Sequence, residues 1–206
     1  CLAQGVVDGA QLRALGLSHE LCPLEVSLAL ALHASVVIAD YNYVFDPNVA
    51  LKRFFRTPAR RYLLVVDEAQ NYKNLHLPEP REGGVPRFMG NPGDGSKRAW
   101  QLDFRCAAVR KGTGGTGIVL LSATPAKNSP LEFYNLIQYV DPDAWRRMGI
   151  RDPEQFIDRY LRIEIKPVVT PTMEVEERGA VGGFQNLHEL RDTILRYGEF
   201  KTAEDV

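Results

Sequence analysis

Two adjacent carboxylates, Asp67 and Glu68, close the run Val65-Val66-Asp67-Glu68-Ala69-Gln70, where an apolar strand pattern gives way to polar residues. Phosphoryl transfer from ATP asks for such a pair with different tasks. One group sits beside the Mg²⁺ that neutralises the β and γ phosphates, and the other orients and deprotonates the attacking water. Asp67, at the strand's end, is placed to reach the metal's hydration shell, and Glu68 beside it to accept the proton. The same hexapeptide, taken alone, also reads as a strand end capped by two solvated acids.

A second feature lies downstream, where another apolar run ends in Leu121-Ser122-Ala123-Thr124-Pro125. Small hydroxyl residues at the edge of a neighbouring strand can hydrogen-bond to the Asp67 and Glu68 carboxylates or to nearby backbone. That links a hydrolysis site to elements that move. Alone, the tetrapeptide Ser122–Pro125 is a turn; behind a strand, and paired with the two acids, it is a specific signal.

The elements that must hold these residues follow from the hydrophobic pattern. Ser35–Asp40 (SVVIAD), Tyr62–Asp67 (YLLVVD) and Gly117–Ser122 (GIVLLS) are continuous apolar runs without alternation. They suit parallel strands covered on both faces, each ending in a small polar or acidic residue at the carboxyl edge where ligands bind. Helices are expected between and beyond them. Asp46-Pro47 opens VALKRFF, and Trp100, Phe104, Ala107 and Ala108 form one apolar face after Ser96-Lys97. Ser129-Pro130-Leu131-Glu132 reads as a capping box before LEFYNLIQYV; Asp152–Gln155 and Asn186–Glu189 repeat the device. Leu75–Gly95, rich in Pro and Gly without periodicity, reads as an irregular insertion. The expected class is α/β, with strands and helices alternating to about residue 140 and a mainly helical tail beyond.

Asp67-Glu68-Ala69-Gln70 followed by Ser122-Ala123-Thr124 resembles motifs II and III of superfamily 2 helicases and translocases. From about residue 35 to 206 the wording is similar to the Snf2-like branch: DEAQNYKN, a polar Ser96-Lys97 before a helix, LLSATPAKNSPLEFYNLIQYVDP, then FIDRYL and GGFQNLHELRDTIL. The resemblance implies a partial RecA-like lobe over 1–140, with the insertion at 75–95, and a helical extension over 141–206 leading toward a second lobe. It implies ATP and Mg²⁺ as cofactors of the intact parent, with Asp67 holding the metal through water and Glu68 as catalytic base. Gln70, Ser122, Ala123 and Thr124 would couple nucleotide state to nucleic-acid binding. The insertion departs from a compact family pattern, and Ser96 and Lys97 are given no role.

Residues 1–60 resemble a different branch. Cys22-Pro23-Leu24-Glu25 followed by VVIADYNYVFDP looks like the XPD/DinG group of iron–sulfur helicases, in which a Cys-Pro pair supplies the last cluster ligand before a strand. By that resemblance Cys1 and Cys22 are candidate ligands. Four thiolates are the usual requirement, and the chain has three cysteines; Cys1 and Cys22 as plain thiols is the favoured reading, and no cluster is expected in this chain.

Gly112-Thr113-Gly114-Gly115-Thr116-Gly117 fits G-x-G-x-x-G but follows a helix and opens a strand, the reverse of a phosphate cradle, and no GK[ST] occurs in the sequence. The hexapeptide is read as a turn. His19, His33, His76 and His188 have no ligand spacing. Tyr41 and Tyr43 are candidates for stacking on bases, and Arg53 and Arg56 for meeting phosphate; a sheet edge and a solvated helix end are the bland alternatives.

Bulk composition fits this reading. The chain has 206 residues, 45% hydrophobic and 25% charged, and a net charge of -1. That is ordinary globular composition with no overall basic character, so nucleic-acid contact needs a local patch. Scattered cysteines favour a reducing, intracellular setting. The most apolar stretch, Val26–Ala39, is too short to span a bilayer and reads as a buried helix running into a buried strand. The chain opens without an initiator methionine, and an excised piece of a longer protein is expected. The partners expected are nucleic acid, with DNA favoured, and the second lobe, with no membrane. The rival class is a non-enzymatic module derived from a motor lobe.

Overall fold

A computed structural model describes residues 5–40, 62–78, 95–127, 129–169 and 173–201. Contacts divide the chain into two units, Cys1–Arg60 and Arg61–Val206.

In the first unit two helices form a hairpin: α1 (Gly9–Ser18) and α2 (Pro23–Ala31). Asp8 caps α1 in a reciprocal capping box with Gln11. The turn between the helices is tight because Gly16 is buried, and a Cβ there would stand 2.8 Å from the Leu21 carbonyl oxygen. Val26–Ala39 differs from the expectation. Of α2 only Leu28 is buried. Ser35–Asp40 forms no strand, and Val36, Val37 and Ile38 are exposed. A strand exists only where a neighbour takes its N–H and C=O groups, and among the described residues no strand lies in register with this run.

The second unit holds the predicted parallel pair. Strand β1 (Leu64–Val66) lies beside β2 (Ile118–Leu120) in register Leu64↔Ile118 to Val66↔Leu120. Both strands therefore deliver their carboxyl ends, Asp67 and Ser122, to one edge. A 3₁₀ turn over Ala69–Tyr72 follows β1, and α3 (Lys97–Thr113) precedes β2. Gly114, Gly115 and Gly117, all in the left-handed region, bring the chain from α3 into β2. At Gly117 a Cβ would stand 2.8 Å from the Tyr62 carbonyl oxygen, so the glycine-rich run is a helix stop and a close approach.

Helix α3 starts where expected, with the Ser96 hydroxyl accepting from the Ala99 N–H. The buried side is not the expected one. Ala99, Leu102, Cys106 and Val109 face inward, while Phe104 is 68% exposed. Two apolar stripes are interleaved on this helix, and tertiary packing chooses between them. The ends of the insertion meet: the Ser96 N–H donates to the Asn74 carbonyl at 2.8 Å, and Leu75 is buried. Most of Leu75–Gly95 lies outside the described residues.

Beyond β2 come α4 (Leu131–Val140), a 3₁₀ turn (Arg146–Met148), α5 (Pro153–Tyr160), an antiparallel ribbon of β3 (Leu161–Val169) and β4 (Val175–Phe184), and α6 (Leu187–Tyr197). The architecture is α/β, a partial RecA-like parallel sheet with flanking helices. The core of the tail is aromatic. Trp145 stacks on Tyr134 with centroids 5.6 Å apart, and Phe156 meets the Trp145 ring edge-on at 5.1 Å. The buried indole N–H donates to the Tyr134 carbonyl at 3.0 Å, the partner a buried Trp requires. Leu190 of α6 joins this cluster. Glu189 ties α6 to α5, pairing with Arg159 at 2.7 Å and accepting from the Tyr160 hydroxyl at 3.0 Å.

Of the three caps read in this region, only Asp152 caps its helix as read, accepting from the Gln155 N–H at 2.7 Å, while the Gln155 side-chain oxygen accepts from the Arg151 N–H. Asn186 makes no side-chain cap and donates to the Arg159 carbonyl instead. Helix α4 begins with Pro130 at its N-cap, and Ser129 accepts from the Leu131 N–H. The β3–β4 ribbon is an addition to the helices read from the sequence. Pro167 lies within it, tolerated because each strand of a two-stranded ribbon is an edge.

Candidate functional site

The edge at which β1 and β2 end carries a continuous hydrogen-bonded chain. Glu68 follows β1 with φ 53° and ψ 42°, a left-handed conformation that costs a non-glycine residue about 1 kcal/mol or more. The turn is fixed from both sides. The Glu68 N–H donates to the Asp67 carboxylate at 2.9 Å, and the Ala69 N–H donates to the Leu121 carbonyl at 2.9 Å. Asp67 and Glu68 are both exposed at this edge. The Gln70 amide N–H donates to the Glu68 carboxylate. The Gln70 side-chain oxygen accepts from the Ser122 hydroxyl at 2.5 Å. The Ser122 oxygen in turn accepts from the Thr124 N–H at 3.1 Å. Glu68, Gln70, Ser122 and Thr124 thus form one relay, with Asp67 at its head and exposed Ala123 in the turn between the last two members.

This arrangement leaves two acids open to solvent at a strand edge, one of them anchored through an amide to the neighbouring strand. Chemically it can hold a hydrated divalent cation on one carboxylate and accept a proton on the other. An octahedral Mg²⁺ needs only one or two protein carboxylates beside water and phosphate oxygens, and the exposed Asp67–Glu68 pair fits that donor set.

Cys22 is exposed at the N-cap of α2, whereas Cys106 is buried within α3, where loss of solvation pushes its thiol up to about 12 and keeps it protonated. No group of three or more His, Cys, Asp or Glu side chains able to hold a metal ion occurs among the described residues. Cys1, Tyr41, Tyr43, Arg53 and Arg56 lie outside the described residues.

Sequence reasoning missed the residues that tie down the segments following Gln70 and Thr124. The Glu132 carboxylate receives Lys73 Nζ at 2.7 Å on one oxygen and the Lys127 N–H at 2.8 Å on the other. Asn135 donates to the Lys73 and His76 carbonyls and accepts from the His76 N–H at 3.0 Å. The Tyr139 hydroxyl donates to the Tyr72 carbonyl at 2.8 Å, and its burial raises its pKa. The signal was present: Glu132, Asn135 and Tyr139 fall at i, i+3 and i+7 on α4, a polar stripe on a helix otherwise rich in apolar residues.

Comparison with known proteins agrees with the reading at a coarse level. The DEAD_2 family model, a helicase N-terminal domain of the DEAD-box/XPD type, matches residues 1–77, which include Asp67, Glu68 and Gln70. Over these residues the chain is similar to that domain. Defense against restriction protein B of Escherichia phage P1 is 35% identical over 144 residues, covering 69% of this chain and 6% of that protein. The general transcription and DNA repair factor IIH helicase subunit XPD of Dictyostelium discoideum is 34% identical over 74 residues, covering 36% of this chain and 9% of that protein. The chain therefore spans less than a tenth of the length of either relative. No solved structure matches it significantly. Among the described residues no helix is long and apolar enough to cross a membrane.

Proposed function

We propose that the chain is part of an ATP-dependent nucleic-acid helicase or translocase motor of the Snf2-like kind, in which the Asp67–Glu68 edge faces the nucleotide. The observation that carries this reading is the relay from Glu68 through Gln70 to Ser122 and Thr124 across the two strand ends. A general base must be held while its neighbour serves a metal, and the Gln70 amide holds Glu68 without neutralising it. When bound, Mg²⁺ beside Asp67 neutralises charge on the β and γ phosphates of ATP. Glu68 takes the proton of the attacking water. Because Gln70 also accepts from Ser122, a shift of β2 against β1 is felt at Glu68, which couples hydrolysis to the segments after β2.

In this reading residues 1–140, with the insertion at 75–95, belong to a RecA-like lobe, and 141–206 lead toward a second lobe. The partner is nucleic acid, duplex DNA in preference, in an intracellular setting. The isolated chain, whose sequence has no GK[ST] loop, hydrolyses little ATP by itself.

A second reading, a strand-separating helicase of the XPD/DinG kind, is favoured by the family match over residues 1–77 and by the XPD relative. Both readings are tested on the intact parent protein by measuring ATP turnover alone, with single-stranded DNA and with duplex DNA. Stimulation by duplex with triplex-strand displacement supports the translocase; stimulation by single strands with fork unwinding supports the second reading. Nucleic-acid binding with no stimulated turnover overturns both in favour of a non-catalytic module.

A further inference from the structure

Glu132 stands in the first turn of α4, where the pattern Ser129-Pro130-Leu131-Glu132 calls for a carboxylate that folds back on the helix N-terminus. Its two oxygens serve two different loops. One accepts from Lys73 Nζ at 2.7 Å, five residues beyond Glu68; the other accepts from the Lys127 N–H at 2.8 Å, five residues beyond Ser122. The side chain is only 7% exposed. A carboxylate buried to that degree stays charged only where its partners offset the lost hydration. The next two members of the same stripe, Asn135 and Tyr139, bind the backbone at Lys73, His76 and Tyr72. One face of α4 therefore grips the segment after the acids, and at its head a single carboxylate joins that segment to the one after Ser122.

We propose that Glu132 is a positioning residue that sets the separation of the two loops, so that the Gln70–Ser122 hydrogen bond, and with it the Glu68 carboxylate, is held in place. The proposal rests on the motor reading for its kinetic consequence, and on the contacts alone for its structural one. Glu132→Gln keeps the size and one acceptor but removes the charge that binds Lys73. Lys73→Met removes the same ion pair from the other side while leaving the Lys127 contact, and serves where Glu132→Gln folds poorly.

Both variants are made in the intact protein and read in two ways. Hydrogen exchange is followed in peptides covering 67–76 and 121–127, with peptides of α5 and α6 as reference. Faster exchange in both loops of Glu132→Gln, and in 67–76 of Lys73→Met, with unchanged reference helices is the expected result. Exchange at the parental rate in 67–76 in either variant, or in 121–127 of a folded Glu132→Gln, overturns the proposal, whatever the protein's activity. For ATP turnover, kcat is expected to fall roughly tenfold to 10²-fold, the usual sensitivity to a displacement of about 1 Å, with KM for ATP little changed. The double variant falls no further than the worse single one, as expected for two halves of one contact. A parental kcat in both variants, in a protein whose turnover is abolished by Glu68→Gln, overturns the proposal and leaves the motor reading standing. Turnover insensitive to Glu68→Gln removes the motor reading, and the exchange result still decides whether Glu132 holds the loops.

Discussion

The Ser122 hydroxyl donates to the Gln70 side-chain oxygen at 2.5 Å, although the two residues are 52 positions apart in the chain. The bond spans the ends of two parallel strands, and Gln70 passes it on to Glu68 through its amide N–H. Its geometry requires both strands to stop at the same height, which the register Val66↔Leu120 provides.

Asp67 and Glu68 are adjacent, and their substitutions separate their tasks. In the intact parent, Glu68→Gln retains size and hydrogen bonding but not basicity. Nucleotide binding should survive while turnover falls at least ~10²-fold, the usual worth of a general base. Asp67→Asn should weaken Mg²⁺-dependent nucleotide binding as well, because it removes charge beside the metal. Nucleotide titration with and without Mg²⁺, alongside steady-state hydrolysis, separates the two; parental turnover by Glu68→Gln demotes both acids to a solvated strand end.

Ser122→Ala removes the donor to Gln70 and the acceptor of the Thr124 N–H. The fold should lose about 1 kcal/mol, the ordinary worth of a hydrogen bond. The ratio of nucleic-acid-stimulated to unstimulated turnover should drop, and Ser122→Thr should restore it. An unchanged ratio in Ser122→Ala means that the hydroxyl does not carry the coupling.

Phe156 is fully buried between Tyr134, Trp145 and Tyr160. Phe156→Ala should destabilise the Arg61–Val206 unit by about 3–5 kcal/mol through lost burial and an unfilled cavity. Urea unfolding followed by Trp fluorescence measures this, and a loss under ~1 kcal/mol means that the aromatic cluster closes over the gap.

Arg159 and Tyr160 hold Glu189 below the usual carboxylate range, Arg159 contributing most. A carboxylate depressed in the folded state adds stability above its unfolded pKa, about 4.3, and that stability is lost as pH falls through the lower folded value. Docking of α6 should therefore weaken on acidification below about pH 4.3. Glu189→Gln should lower stability at neutral pH and flatten this acid dependence; chemical denaturation at a series of pH values reads both. An acid limb as steep in Glu189→Gln as in the parent assigns the loss to other carboxylates.

What the sequence determined by itself was local. Apolar runs closing on Asp67 and Ser122 were legible as strands, and they became the parallel pair. Asp152 capped α5 and Ser96 capped α3, since a cap is complete within a few residues. The glycine run after α3 turned the chain because its φ angles suit glycine. Tertiary structure decided wherever one local pattern allowed two outcomes. Helix α3 carries two apolar stripes, and only packing selected Leu102 and Cys106 over Phe104. Ser35–Asp40 has the composition of a strand, but pairing requires a neighbour that composition cannot supply. Glu132 matched a capping box three residues after Ser129, yet its carboxylate meets Lys73, a partner 59 positions away that only packing supplies. Caps and periodicities act within a turn or two of the chain, whereas the partners of a buried charge are known only once the elements carrying them have packed.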